Sequence, residues 1–174
     1  YQGGISVFDW TDPAHPKEIA FFDRGPVDSM ELGNGGAWSS YWYNGLIVSS
    51  EIGRGLDILE LTPSPLLTQN ELDAAKSVRL EYFNAQQQPK FVWPANFAVA
   101  RAYVDQLERS KGLSAARISA LRKELGEAEK ASGSSRREAL GELARQVSGE
   151  AAASGDRARV EKLAASIRAL ASAS

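Results

Sequence analysis

The side chains of this chain that could carry chemistry are one histidine and a scatter of acids. His15 lies in a turn between Pro13 and Pro16, where an imidazole could act as a general base or a metal ligand. It has no second histidine to work with, and a turn histidine is typically just exposed. The acids could surround a hard cation such as calcium, but their spacing is not that of an EF-hand loop and is typical of solvated acidic loops. These acids are Asp9, Asp12, Asp23, Asp28 and Glu31.

Composition removes most other reaction classes. The 174 residues include no cysteine, which excludes thiolate nucleophiles, cysteine metal ligands and disulfides. The glycine-rich stretch at residues 33–36 lacks the strand-to-helix context of a phosphate-binding loop. A net charge of −2 argues against a nucleic-acid partner, and no apolar run approaches the roughly 20 residues of a membrane-spanning helix. We therefore predict that the chain is not an enzyme, with no catalytic, cofactor-binding or metal-binding residue, no cofactor and no transmembrane segment.

A second set of side chains suits binding. Residues 37–43 (AWSSYWY) place large aromatic rings on both faces of one predicted strand, and another tryptophan follows at position 93. Packing inside the protein explains most such rings, whereas a ring that faces outward is a good anchor for a protein partner. The candidate partner-binding residues are Trp38, Tyr41, Trp42, Tyr43 and Trp93.

The element that carries these residues is part of a repeat. Residues 4–13 (GISVFDWTDP) and 55–63 (GLDILELTP) share a glycine, alternating apolar positions, an acid, a threonine and a proline, at a spacing of 51 residues. That is the scale of one blade in a β-propeller. Because one repeat cannot bury its apolar faces alone, we expect a piece of a larger array whose first residue falls inside a blade.

The two halves of the chain differ in composition. Residues 1–93 hold thirteen of the fifteen aromatic residues, with six basic and twelve acidic side chains and a net charge of −6. Residues 94–174 are rich in alanine, leucine and arginine, with fourteen basic and ten acidic side chains and a net charge of +4. The first half predicts strands and the second predicts helices. The predicted strands cover residues 5–10, 17–23, 37–43, 46–50 and 56–61, with Asn44-Gly45 as a hairpin turn.

Helix-start signals divide the remainder. Thr68 and Glu71 form a capping box that predicts a short helix at 69–78. We expect Pro94 at the first position of the next helix, and three more helices starting at Ser114, Ser135 and Asp156. Short connections favour a small three- or four-helix bundle, or hairpins that finish their packing on a partner.

The predicted class is α+β, an antiparallel β-meander of partial propeller blades followed by a small antiparallel helical bundle. The predicted domains are terminal propeller-like blades at 1–66, a linker with a short helix and an extended segment at 67–93, and helical hairpins or a bundle at 94–174.

One stretch carries a family resemblance. The run GGISVFDWTDPAHPKEIAFFD resembles the repeat of the LVIVD-repeat proteins, which are bacterial β-propellers. The second copy departs from that pattern, with Glu60 at the strand-end acid and no aspartate in residues 62–65, as a terminal repeat often does. The resemblance implies a periplasmic or secreted protein and brings no catalytic motif. The matching positions are Gly4, Ile5, Val7, Phe8, Asp9, Thr11, Asp12, Pro13 and Pro16.

Two functional hypotheses follow. The first is a non-catalytic protein-interaction or structural module, bound to another protein or to missing upstream blades; one form of it is an accessory subunit on the periplasmic side of a larger membrane complex. The alternative is the C-terminal part of a secreted propeller whose ligand-binding or enzymatic site lies in upstream blades absent from this chain.

Overall fold

The computed structural model describes residues 3–174 and divides them into two compact units. The first, here the sheet unit, comprises the chain up to Leu67 and Val78–Phe91. The second, the helical unit, comprises Thr68–Ser77 and Val92–Ser174. The α+β class predicted from composition is confirmed. The short helix that the sequence pattern places in a linker belongs to the helical unit. Each helix in the described part of the chain is too short or too polar to span a bilayer.

The sheet unit contains two antiparallel sheets. Strands β1 (Ile5–Asp9) and β2 (Lys17–Phe22) form one, and β3 (Ala37–Tyr43), β4 (Leu46–Glu51) and β5 (Gly55–Leu59) form the other in the order β3-β4-β5. All five predicted strands are present, and their ends differ from the prediction by two residues at most. In the described part of the chain these sheets close no propeller.

Two turns fix the three-stranded sheet. Asn44 and Gly45 both have positive φ, 50° and 89°, as a two-residue hairpin turn requires. The turn from β4 to β5 is organised by Glu51, whose carboxylate accepts the backbone N–H of Gly36 at 2.5 Å and that of Arg54. Burial alone raises the pKa of Glu51, but these backbone N–H groups and the Arg54 guanidinium together hold it below its ordinary value. The buried carboxylate therefore stays charged and ties the turn between β4 and β5 to the residue that precedes β3.

The helical unit has five helices: α1 (Gln69–Lys76), α2 (Phe97–Arg109), α3 (Ala115–Lys130), α4 (Gly133–Glu150) and α5 (Arg157–Ala173). Helix α2 packs against α3 and α5, and α4 packs against the same two, so that α2–α5 form a closed four-helix bundle. Their apolar stripes meet in one core, whose largest fully buried side chains include Leu107, Ile118, Leu121, Leu125, Leu140, Leu163 and Ile167.

Among the predicted starts of the four bundle helices, two are confirmed and two are wrong. Ser114 and Asp156 cap α3 and α5. Pro94 lies outside α2, because Asn96 is its N-cap and accepts the backbone N–H of Val99 at 2.9 Å. Ser135 lies inside α4, which begins at Gly133. Next to Ser135, the Arg136 guanidinium donates to the backbone carbonyls of residues 128, 129 and 131, which ties the end of α3 to the first turn of α4.

Helix α1 is held on α2 by two buried carboxylates. Glu71 completes the predicted capping box with Thr68 and also accepts hydrogen bonds from Arg109, at 2.5 and 3.1 Å, and from Gln106 at 3.0 Å. Asp105 accepts from Thr68 Oγ1 at 2.8 Å, and its other partners are Asn70 and Arg122. Burial alone raises the pKa of both carboxyl groups, but these donors outweigh it and lower both pKa values.

Gly112, in the connection between α2 and α3, tolerates no side chain. A Cβ there would lie 2.8 Å from both Asp156 Cβ and Leu107 Cδ2. The Gly112 carbonyl also accepts the backbone N–H of Gly155 at 2.9 Å. We expect Gly112→Ala to destabilise the helical unit by about 1–3 kcal/mol, measured by denaturant unfolding followed at 222 nm. Gly126→Ala, inside α3 with open space around it, is the control and should stabilise by about 0.5–1 kcal/mol. Equal effects of the two substitutions would contradict this packing.

Candidate functional site

Exposed apolar surface is confined to the first part of the chain. Of the described residues, all the exposed large hydrophobic side chains lie at or before Trp93, and none lies in helices α2–α5. The bundle therefore satisfies its own apolar stripes, whereas the preceding residues do not. Contiguous exposed apolar patches on a folded protein mark interaction sites, so the sheet unit is where a site is expected.

One side of the three-stranded sheet groups several of these exposed side chains. The register aligns Tyr41 with Val48 and Val48 with Ile58, so the three side chains form one row across the sheet. Leu46 and Leu56 project from the same side. Ile58 is 61% exposed and Leu56 64%. We call this side, formed by Tyr41, Leu46, Val48, Leu56 and Ile58, the apolar face.

The opposite side of the same sheet is covered and carries Trp42, Ile47 and Leu59. Ser49 and Glu51 are also buried there, and Asp57 pairs with Arg24. A half-solvated antiparallel sheet normally turns its apolar side to the core and a polar side to water. Here the solvated side is apolar as well, so the sheet is arranged as if a further layer were to cover it.

An open groove borders the apolar face. Its volume is about 600 Å³, and it is lined by Tyr41, Tyr43, Val48 and residues 81–86. Phe83 stacks on Tyr43, with ring centroids 6.3 Å apart, and meets Tyr41 edge-on at the same distance. The chain beside the groove is anchored by Asn44, whose side-chain amide donates to the Leu80 carbonyl at 3.0 Å and accepts the Leu80 N–H at 2.8 Å.

The five predicted partner-binding residues do not form one cluster. Tyr41 and Tyr43 lie on the side of the sheet that bears the apolar face and line the groove. Trp42 points to the other side and packs edge-on against Phe91 at 5.4 Å. Trp38 is exposed beside the register irregularity of β3, and Trp93 is half-exposed in the helical unit.

The sequence pattern missed Leu56, Ile58 and Phe83. Leu56 and Ile58 alternate with Asp57 in the sequence, but alternation alone does not reveal which side of a sheet is covered. Phe83 belongs to the groove only because a distant part of the chain returns to β3.

Four of the five candidate acids accept hydrogen bonds within turns, and the fifth, Glu31, donates its backbone N–H to Asp28. Asp9, Asp23 and Asp28 each accept the backbone N–H two residues ahead, at 2.7–2.8 Å. Asp12 does the same for Ala14 and also pairs with His15 Nδ1 at 2.9 Å, with both side chains exposed. Within residues 3–174 no group of three or more His, Cys, Asp or Glu side chains is placed to hold a metal ion.

Comparison with known proteins gives no family. No protein-family model matches the chain, and no curated protein and no solved structure is significantly similar to it. The features of the chain that bear on function are therefore those of the sheet unit itself, above all the exposed apolar face.

Proposed function

We propose that this chain is a non-catalytic protein-interaction or structural module that docks through its apolar face. The observation that carries the proposal is the pattern of exposure in β5. Leu56 and Ile58 face solvent, while the side chain of Asp57 between them is largely covered. Removing such side chains from water is favourable by about 25 cal/mol for each Å² of apolar area, which gives a docking polypeptide its driving force. Tyr41 adds a large ring with a polar tip, a residue type common in binding hot spots.

The partner in this proposal is another protein outside the cytoplasm. The resemblance of residues 3–23 to the LVIVD repeat supports a periplasmic or secreted location, including a place as accessory subunit on the periplasmic side of a membrane complex. The sheet unit holds ten acidic and five basic side chains among residues 3–67 and 78–91, a net charge of −5. Charge of one sign favours encounter with a basic partner and orients docking.

A second candidate is the end of a longer secreted propeller, whose ligand-binding or enzymatic site lies in further blades. The observation that favours it is the repeat itself, because β1 and β5 carry the same pattern at a spacing of 51 residues. In that case the polypeptide covering the apolar face is another blade, and the surface is structural.

The purified chain tests the proposal by its own association. Without its partner, the apolar face is expected to drive concentration-dependent self-association in sedimentation velocity. Ile58→Lys, at one end of the Tyr41–Val48–Ile58 row, should weaken that association by about tenfold or more. Leu66→Lys is the control, because Leu66 is also exposed but lies outside the strands. A monodisperse monomer at every concentration, or equal effects of the two variants, would contradict the proposal.

A further inference from the structure

Strand β5 repeats β1, and the two strands differ in their neighbours. β1 pairs with β2, which follows it in the chain, whereas β5 pairs with β4, which precedes it. In a meander the preceding and the following strand lie on opposite edges of the strand between them. In the described residues β2 pairs with β1, but no following strand pairs with the equivalent edge of β5.

The two strands also differ in which side is covered. Ile5 and Val7 of β1 are half-buried and Phe8 is exposed, whereas their counterparts Leu56 and Ile58 in β5 are exposed and Leu59 is half-buried. A strand at the end of a sheet also presents a row of backbone N–H and C=O groups that a further strand can pair with. The second copy of the repeat therefore has the side chains of a paired strand without the pairing.

We propose that the outer edge of β5 binds an antiparallel β-strand with the chemistry of β2, supplied by a partner polypeptide. The inference rests on the proposed function and specifies how the partner is engaged: by addition of a strand to the sheet, with backbone hydrogen bonds giving affinity and alternate side chains giving specificity.

The pairing of β1 with β2 defines the incoming strand. In that pair Lys17 lies opposite Asp9, Ala20 opposite Val7 and Phe22 opposite Ile5. When this pairing is transferred from β1 to β5, a basic residue of the incoming strand lies opposite Glu60, a small apolar residue opposite Ile58 and an aromatic residue opposite Leu56. A basic end also complements the net charge of −5 of the sheet unit. Two β5 strands from two copies fit less well, because antiparallel pairing centred on Asp57 would set acid against acid.

A synthetic peptide of residues 16–24 (PKEIAFFDR), labelled with fluorescein, is the probe. It is titrated with the purified full chain and followed by fluorescence anisotropy. Two modified peptides carry backbone N-methyl groups in the regularly paired part of the strand, beyond the register shift at Ile19, one at positions 20 and 22 and the other at 21 and 23. Successive N–H groups of a strand point to opposite edges, so one modified peptide should bind about tenfold more weakly or worse and the other should bind nearly as well as the parent.

Three results would overturn the proposal: no binding of the parent peptide, equal binding of both N-methylated peptides, or equal binding of a peptide with the same residues in scrambled order. The proposed function fails separately. If Ile58→Lys abolishes self-association while the parent peptide does not bind, the apolar face is a docking surface and strand addition is wrong. If the peptides show the expected alternation while self-association is absent, strand addition stands without the face-driven association.

Discussion

Replacing Glu71 with alanine is expected to destabilise the helical unit by about 3 kcal/mol. The substitution removes the acceptor of the hydrogen bonds from Arg109 and Gln106 and one half of the capping box with Thr68. It leaves the Arg109 guanidinium without its buried counter-charge, which is the costly part. Denaturant unfolding followed by circular dichroism at 222 nm measures the loss.

Glu138→Ala is the matched control for Glu71→Ala. Glu138 is exposed on α4, and Ser135, three residues before it, lies inside the helix and is not the N-cap. Its removal should change the free energy of unfolding by less than about 0.5 kcal/mol. Equal losses for the two variants would mean that Glu71 does not anchor α1.

The difference between the wild type and Glu71→Ala should shrink in acid. The folded protein lowers the pKa of Glu71 and of Asp105, so the stability they contribute is complete above the unfolded-state pKa and disappears as the pH falls through the lowered folded-state values. The same unfolding measurement, repeated from neutral pH down to below the ordinary carboxyl range, follows this loss. A difference that stays constant with pH would contradict the charged state assigned to Glu71.

Replacing Asn44 with alanine should destabilise the sheet unit by about 2–3 kcal/mol. Alanine loses both hydrogen bonds to the Leu80 backbone and must adopt a φ of 50°, which asparagine tolerates better. Asn44→Gly separates the two causes, since glycine also loses the hydrogen bonds but accepts positive φ. The free energy of unfolding of Asn44→Gly should therefore lie between those of Asn44→Ala and the wild type.

Tryptophan fluorescence follows the Asn44 variants, because Trp10, Trp38 and Trp42 all belong to the sheet unit. Denaturant midpoints that match the wild type in both variants would show that Asn44 does not anchor the groove segment. A destabilisation detected by circular dichroism at 222 nm but not by fluorescence would place the effect in the helical unit. That result would also contradict a role of Asn44 in the sheet unit.

Local patterns predicted the elements of this fold well. Alternation and Asn44-Gly45 located the strands, and the period of the apolar residues located the bundle helices. The helix-start signal failed at Ser135, because α4 begins at Gly133 and the Arg136 guanidinium ties its first turn to the end of α3. The capping box at Glu71 was visible in the sequence, but its partner Arg109 lies 38 residues away and was not.

The candidate site was less predictable than the fold. A run such as AWSSYWY shows that aromatic rings alternate, but the solvated side depends on what covers each side of the sheet. The structure consequently separates Trp42 from Tyr41 and Tyr43 and adds Ile58 and Leu56 from a strand that the aromatic pattern does not include.

Site-specific photo-crosslinking tests the central claim, that polypeptide covers the apolar face, most directly. In one variant of the full chain, expressed in its producing cells, a benzophenone amino acid replaces Ile58. In the control variant it replaces Glu127, which is exposed on α3. The account predicts one crosslinked peptide identified by mass spectrometry at position 58, lost when Leu56→Lys is added, and none at position 127. No crosslink at position 58, or the same crosslinks at both positions, would contradict it.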